Sequence, residues 1–210
     1  ALFALLSRRR ISLMQRTTLQ DAISAPNVGG IVRLTKFILW GTFLIELIGA
    51  LVMLPVFCRD YGWHGIWLAV FHSVSAFCNA GFDILGTANN LYPSLTGYEQ
   101  NPIMNITIML LIIIGGIGFL TWEDICENKL QFRRYRMQSK VILIFTIILI
   151  IFPAIFFFFA DFASLPMEAR LQASLFQSVT TRTAGFNTVN LSAMSSSSQG
   201  IMILLMLIGG

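Results

Sequence analysis

The sequence predicts an all-α membrane protein made of repeated units, each a helix, a re-entrant loop and a second helix. Three observations carry that expectation. First, the 210 residues are 56% hydrophobic and 11% charged, with a mean hydropathy of +0.75, whereas soluble domains carry about 25% charged residues. Second, apolar windows long enough to span a bilayer alternate with apolar stretches too short to do so. Third, the basic residues gather in two segments whose separation requires those short stretches to turn back.

The spans come first. A hydrocarbon core about 30 Å thick needs roughly 20 apolar residues in a helix. Phe37–Phe57, Ile103–Trp122 and Val141–Ala160 meet that length, and a fourth window begins near Gln199. Ile66–Cys78 and Leu171–Val179 fall between them; stretches of this length belong more often to re-entrant or interfacial segments. Of the 14 Lys and Arg, six lie within residues 1–36 (Arg8, Arg9, Arg10, Arg16, Arg33, Lys36) and five within 123–140 (Lys129, Arg133, Arg134, Arg136, Lys140). The positive-inside bias places both segments in the cytoplasm. A complete crossing by either short stretch would put them on opposite sides, so both are expected to re-enter.

The expected organisation follows. Residues 1–36 hold the end of a preceding inner helix (1–7) and a basic cytoplasmic linker. Residues 37–122 form one helix, loop, helix unit, 123–140 a second basic linker, and 141–210 a second, truncated unit. The chain opens without Met and closes inside an apolar run, so it is expected to be part of a longer polypeptide. Internal repeats of this kind are common in transport proteins.

The short stretches carry the motifs. FHSVSAFCNAGFD (71–83) and FQSVTTRTAGFN (176–187) each join an aromatic residue, a polar Ser-Val-Ser or Ser-Val-Thr run and Ala-Gly-Phe. Non-helical backbone at membrane depth survives only where protein or water surrounds it. Carbonyl oxygens that replace an ion's hydration shell give such a loop a reason to exist, and Gly permits the conformations that aim them inward. The spacing differs: Phe71 to Gly81 is ten residues and Phe176 to Gly185 is nine. Either the first loop is one residue longer or the short helices are offset.

These motifs, with GGIGFLTWEDI (115–125) and RRYRMQSKVIL (133–143), resemble the Trk/Ktr/HKT superfamily of potassium transporters, and within it the bacterial KtrB-type membrane subunits. The resemblance covers essentially the whole chain. It implies four helix, pore loop, helix repeats around one potassium pathway, of which residues 37–122 are the second and 141–210 the third. By position, Asn79, Ala80, Gly81 and Phe82 supply one wall of a selectivity filter, and Thr183, Ala184, Gly185 and Phe186 another, through backbone carbonyls before and around each Gly. The first and fourth filter loops are absent from the sequence, and the Gly-rich break of the third inner helix is expected near Ile208-Gly209-Gly210. The resemblance further implies potassium as the transported ion, with sodium coupling open, and a multi-pass protein of the bacterial plasma membrane in contact with lipid. It also implies a homodimer docked on a cytoplasmic nucleotide-binding regulatory subunit of KtrA type. No cofactor and no nucleic acid partner are expected.

Other polar residues leave alternatives. Glu46, mid-span, either attracts a cation or hydrogen-bonds a neighbouring helix, since a carboxylate there is expensive. Asp83 either concentrates cations at the mouth or caps its loop. Arg182 would repel potassium if it pointed inward, and is expected to turn back and brace loop carbonyls. Gly115, Gly116 and Gly118 read as packing contacts, Asn105 as a boundary polar residue and His72 as a satisfied polar contact. Cys58, Cys78 and Cys126 follow no metal or disulfide spacing. Two rival functions remain. An unrelated alternating-access cation carrier would make 66–78 and 171–179 parts of spanning helices. A membrane-embedded enzyme would need a catalytic constellation, yet His64, His72 and the scattered carboxylates form no HExxH, GxSxG or paired-acid motif.

Overall fold

Seven α-helices carry the computed structural model, which describes residues 31–87, 93–129 and 131–209. They are α1 (Ile31–Tyr61), α2 (His64–Phe77), α3 (Pro102–Gly116), α4 (Phe119–Asn128), α5 (Met137–Ala160), α6 (Met167–Thr183) and α7 (Ser196–Gly209). No strand ladder occurs among the described residues. The expected helix end at 1–7 and the arginines at 8–16 lie outside them.

α1 has 31 residues and α5 has 24, so at 1.5 Å per residue they run roughly 46 and 36 Å, enough to cross a bilayer. Both are apolar nearly all round. α1 exposes Trp40, Phe43, Leu44, Leu47, Ile48 and Leu51, and α5 exposes Ile144, Ile147, Ile148, Ile151, Phe152 and Ile155. Such surfaces suit lipid as the solvent. The short helices behave differently. α2 packs on α1, α6 packs on α5, and α3 lies against both α2 and α6.

α3 is therefore the wall the two units share. It starts with Pro102 at its first position and the Asn101 side chain accepting from the amides of Ile103 and Met104, at 3.1 and 3.2 Å. Met104, Ile108, Leu111 and Ile112 lie on its buried face. They join one core with Met53, Phe57 and Leu68 of the first unit and Phe176, Val179 and Phe186 of the second. A second core, around Phe157, Phe162, Ala173, Met202 and Leu205, sits between α5, α6 and α7.

The expected straight span Ile103–Trp122 is instead two helices. α3 ends at Gly116, and α4 turns away by 97°. Gly118 stands at φ +82° at the corner, a conformation that costs Gly little and an L side chain much more. Trp122 fixes the turn: its Nε1 donates to Ile114 O at 2.9 Å, taking up a carbonyl near the helix end, and its ring packs on Phe77 and Phe119. Gly118 thus makes the bend, whereas Gly115 is a packing contact: a Cβ there would run into the carbonyl oxygen of Phe77.

The linker after α4 is ordered by one buried carboxylate. Asp124 accepts from the backbone N–H of Arg136 at 3.1 Å and from the Ser139 hydroxyl, capping the start of α5. Arg136 also pairs with Glu123 at 2.8 Å. At the far end of α5, Asp161 accepts from Ser195 N–H at 2.8 Å and from the Ser198 hydroxyl, capping α7 from outside its own chain segment.

Candidate functional site

The repeated polar run has a different task for each hydroxyl. The first serine pins the short helix to its long neighbour: Ser73 Oγ donates to Glu46 O and Ser178 Oγ to Ile150 O, both at 2.6 Å. The next hydroxyl holds the returning chain: Ser75 Oγ donates to Phe82 O at 2.8 Å and Thr180 Oγ1 to Phe186 O at 2.6 Å. In both copies the backbone leaves the helix and doubles back along its last turn.

These bonds also settle the register. Ser73 matches Ser178 and Ser75 matches Thr180, an offset of 105, whereas Phe82 matches Phe186 and Gly81 matches Gly185, an offset of 104. The first loop holds the extra residue. Asn79, at φ +53°, absorbs it; Asn tolerates the left-handed region better than most side chains. Gly81 at φ +67° and Gly185 at φ +89° then turn both loops alike.

The two loops meet. A Cβ on Gly81 would overlap the carbonyl oxygen of Ala184 and come within 3.3 Å of Gly185 C. Thr183 Oγ1 donates to Asn79 Oδ1 at 3.1 Å. Further out, Asn187 N–H donates to Ser94 Oγ and Leu95 N–H to Asn187 O, both at 3.0 Å. Seven of the eight motif residues therefore lie on two adjoining loops, and Thr183 ends α6 beside them. Their environments differ: Phe186 is buried beside the His72 ring (centroids 6.3 Å apart), whereas Phe82 is 69% exposed at the free edge of the first unit. The carbonyls of Phe82 and Phe186 face their own helices.

The neighbouring polar residues resolve as follows. The backbone oxygen of Glu46 takes the Ser73 hydroxyl, while its carboxylate is half-buried with no hydrogen bond among the described residues. Asp83 accepts from Leu85 N–H at 3.2 Å, a loop cap. His72 Nδ1 bonds Leu68 O at 2.8 Å, with the rings of Phe57 and Phe71 beside it, and its Nε2 has no partner among the described residues. Asn105, near the start of α3, ties that helix to α6 and to the preceding loop: its Nδ2 donates to Glu99 O at 2.8 Å and to Gln172 Oε1 at 3.1 Å. Arg182 does not brace the loop; it makes no hydrogen bond or ion pair among the described residues. Sequence reasoning missed the division of labour in the polar runs, although their repetition was its visible trace.

Two pinned short helices, with glycine loops that fold back and touch beside a shared inner helix, define an all-α membrane protein of repeated helix, re-entrant loop, helix units. The chain belongs to the TrkH family of cation transport proteins, whose family model matches residues 1–210. It is 35% identical to the potassium/sodium uptake protein NtpJ of Enterococcus hirae, over 100% of this chain and 46% of the relative. It is 33% identical to Ktr system potassium uptake protein B of Bacillus subtilis, over 99% of this chain and 47% of that protein. The protein of the same name from Vibrio alginolyticus is 31% identical, over 95% and 44% respectively. The chain thus spans a little under half the length of these relatives.

Proposed function

We propose that this chain supplies the second and third of four filter loops in the ion-conducting subunit of a potassium-uptake system. The observation that carries the reading is the meeting of the two loops, with Gly81 pressed on the Ala184 carbonyl and both glycines at positive φ. Asn79, Ala80 and Gly81 on one side, and Thr183, Ala184 and Gly185 on the other, turn backbone oxygens to the ion. Phe82 and Phe186 hold the loops to their helices. Carbonyl oxygens in place of water select a cation without any covalent chemistry, so the protein moves an ion and transforms no substrate. Potassium is the cargo that the names of all three relatives share, and sodium is added in one of them.

The assembly reading goes with it. The protein sits in the bacterial plasma membrane with the basic linkers in the cytoplasm, by the charge bias. It works as a homodimer on a cytoplasmic nucleotide-binding subunit of KtrA type, as the resemblance implies; the "Ktr system" in two relatives' names is consistent with several components.

The test is rubidium uptake and potassium-dependent growth in bacteria lacking their own uptake systems, expressing the full-length parent gene. The intact gene should rescue growth, and Gly81→Ser or Gly185→Ser, with insertion verified, should lower apparent potassium affinity or selectivity. Unchanged affinity and selectivity in both well-inserted variants would show that the glycines serve packing alone.

A further inference from the structure

Arg182 has no counter-charge among the described residues. The residue is 9% exposed, and the ion pairs among the described residues all belong to Arg136. Its stem is held by α7, where Gly209 lies so close that a Cβ would meet Arg182 Cγ and its backbone oxygen. Its head reaches the end of α3: Nη2 lies 3.6 Å from where a Cβ on Gly116 would stand, as does the side-chain amide nitrogen of Asn79. The guanidinium therefore rests between the end of α3 and the flank of α7, next to a filter-loop side chain and one residue before Thr183.

Packing does not require it. By the offset of 105 the counterpart of Arg182 is Phe77, and the backbone setting is the same, since Gly115 meets the Phe77 carbonyl as Gly209 meets that of Arg182. Phe77 fills its site with a ring stacked on Trp122. An unpaired charge in such a position is costly. The C-terminal end of α3 nearby favours a cation only in part.

We propose that Arg182 sets the valence selectivity of the filter, holding back divalent cations of potassium-like size such as barium more strongly than monovalent ones. The inference rests on the reading of the two loops as a cation filter. A unit charge about 10 Å from an ion, at an effective dielectric constant near 20, lowers monovalent occupancy roughly tenfold and divalent occupancy by about the square of that factor.

The experiment is rubidium influx into liposomes carrying the full-length parent protein, titrated with barium. In the native protein, barium should half-inhibit only at concentrations at least about tenfold above the half-saturating rubidium concentration. Arg182→Gln should lower that barium concentration about tenfold or more relative to rubidium, and Arg182→Lys should keep the native value. A merely structural arginine would change rubidium influx without shifting the barium concentration for half-inhibition relative to rubidium. Native barium sensitivity in a conducting Arg182→Gln variant overturns the proposal, and means that the charge is neutralised by groups outside the described residues. If Arg182→Gln does not insert, tight barium block of the native protein overturns it equally. Gly185→Ser, run in parallel, separates the two levels: unaltered rubidium affinity there removes the filter reading itself, whereas a clear effect there with a silent Arg182→Gln removes only the role of the charge.

Discussion

Gly81 and Gly185 occupy matching places, yet their substitutions should not be equivalent. At Gly81 a side chain meets both a left-handed backbone and the Ala184 carbonyl, while at Gly185 nothing among the described residues stands within 4 Å of the added Cβ. Gly185→Ala therefore costs mainly backbone strain, on the order of 1–2 kcal/mol, whereas Gly81→Ala must also push the second loop aside. Rubidium uptake curves should show the larger loss of affinity for Gly81→Ala; equal losses would mean that the contact between loops is unimportant. Asn79 is legible only in part. The spacing of Phe71, Gly81, Phe176 and Gly185 shows a one-residue difference but not whether the loop or the helix holds it; that choice, the positive φ of Asn79 and its bond to Thr183 came from the structure.

At the scale of elements, each short helix depends on one hydroxyl bonded into the middle of a long one. Replacing Ser73 or Ser178 by Ala removes a bond of 2.6 Å to Glu46 O or Ile150 O and should lower stability by about 1 kcal/mol each. A thermal melt of the detergent-solubilised parent protein reads this, and additive losses are expected because the two sites lie in different units. Gly115→Val should do more damage than either, because it separates α3 from the end of α2 at the Phe77 carbonyl. The bend after α3 shows where a hydropathy window misleads. Residues 103–122 are apolar enough for one span, but Gly118 and the Trp122 bond to Ile114 O divide them.

For the whole molecule, the linker between units is a structural part and not a tether. Asp124 is 2% exposed and holds the start of α5 through Arg136 and Ser139. Asp124→Ala leaves those donors without their acceptor and should destabilise the parent protein by roughly 1–3 kcal/mol, again read as a lowered melting temperature. The same α4 carries Cys126 at its surface, which provides a test of orientation. In a variant retaining Cys126 alone, a membrane-impermeant maleimide should react in inside-out vesicles and not in intact cells; reaction in intact cells would place the basic linker outside.

Composition, window length and charge placement determined by themselves that the chain is a helical membrane protein with two re-entrant motifs, because burial of apolar helices in lipid depends on local sequence more than on partners. The repeated Ser-Val-Ser and Ser-Val-Thr runs likewise announced a repeated structural duty. Only the tertiary structure decided what each hydroxyl bonds, which residue absorbs the register difference, that the long apolar window breaks at Gly118, and that Arg182 points between α3 and α7 instead of bracing its loop. Those outcomes turn on which groups come within about 3 Å of one another, a distance at which hydrogen bonds form, between elements as far apart in the chain as Asn79 and Thr183, and no local pattern specifies that.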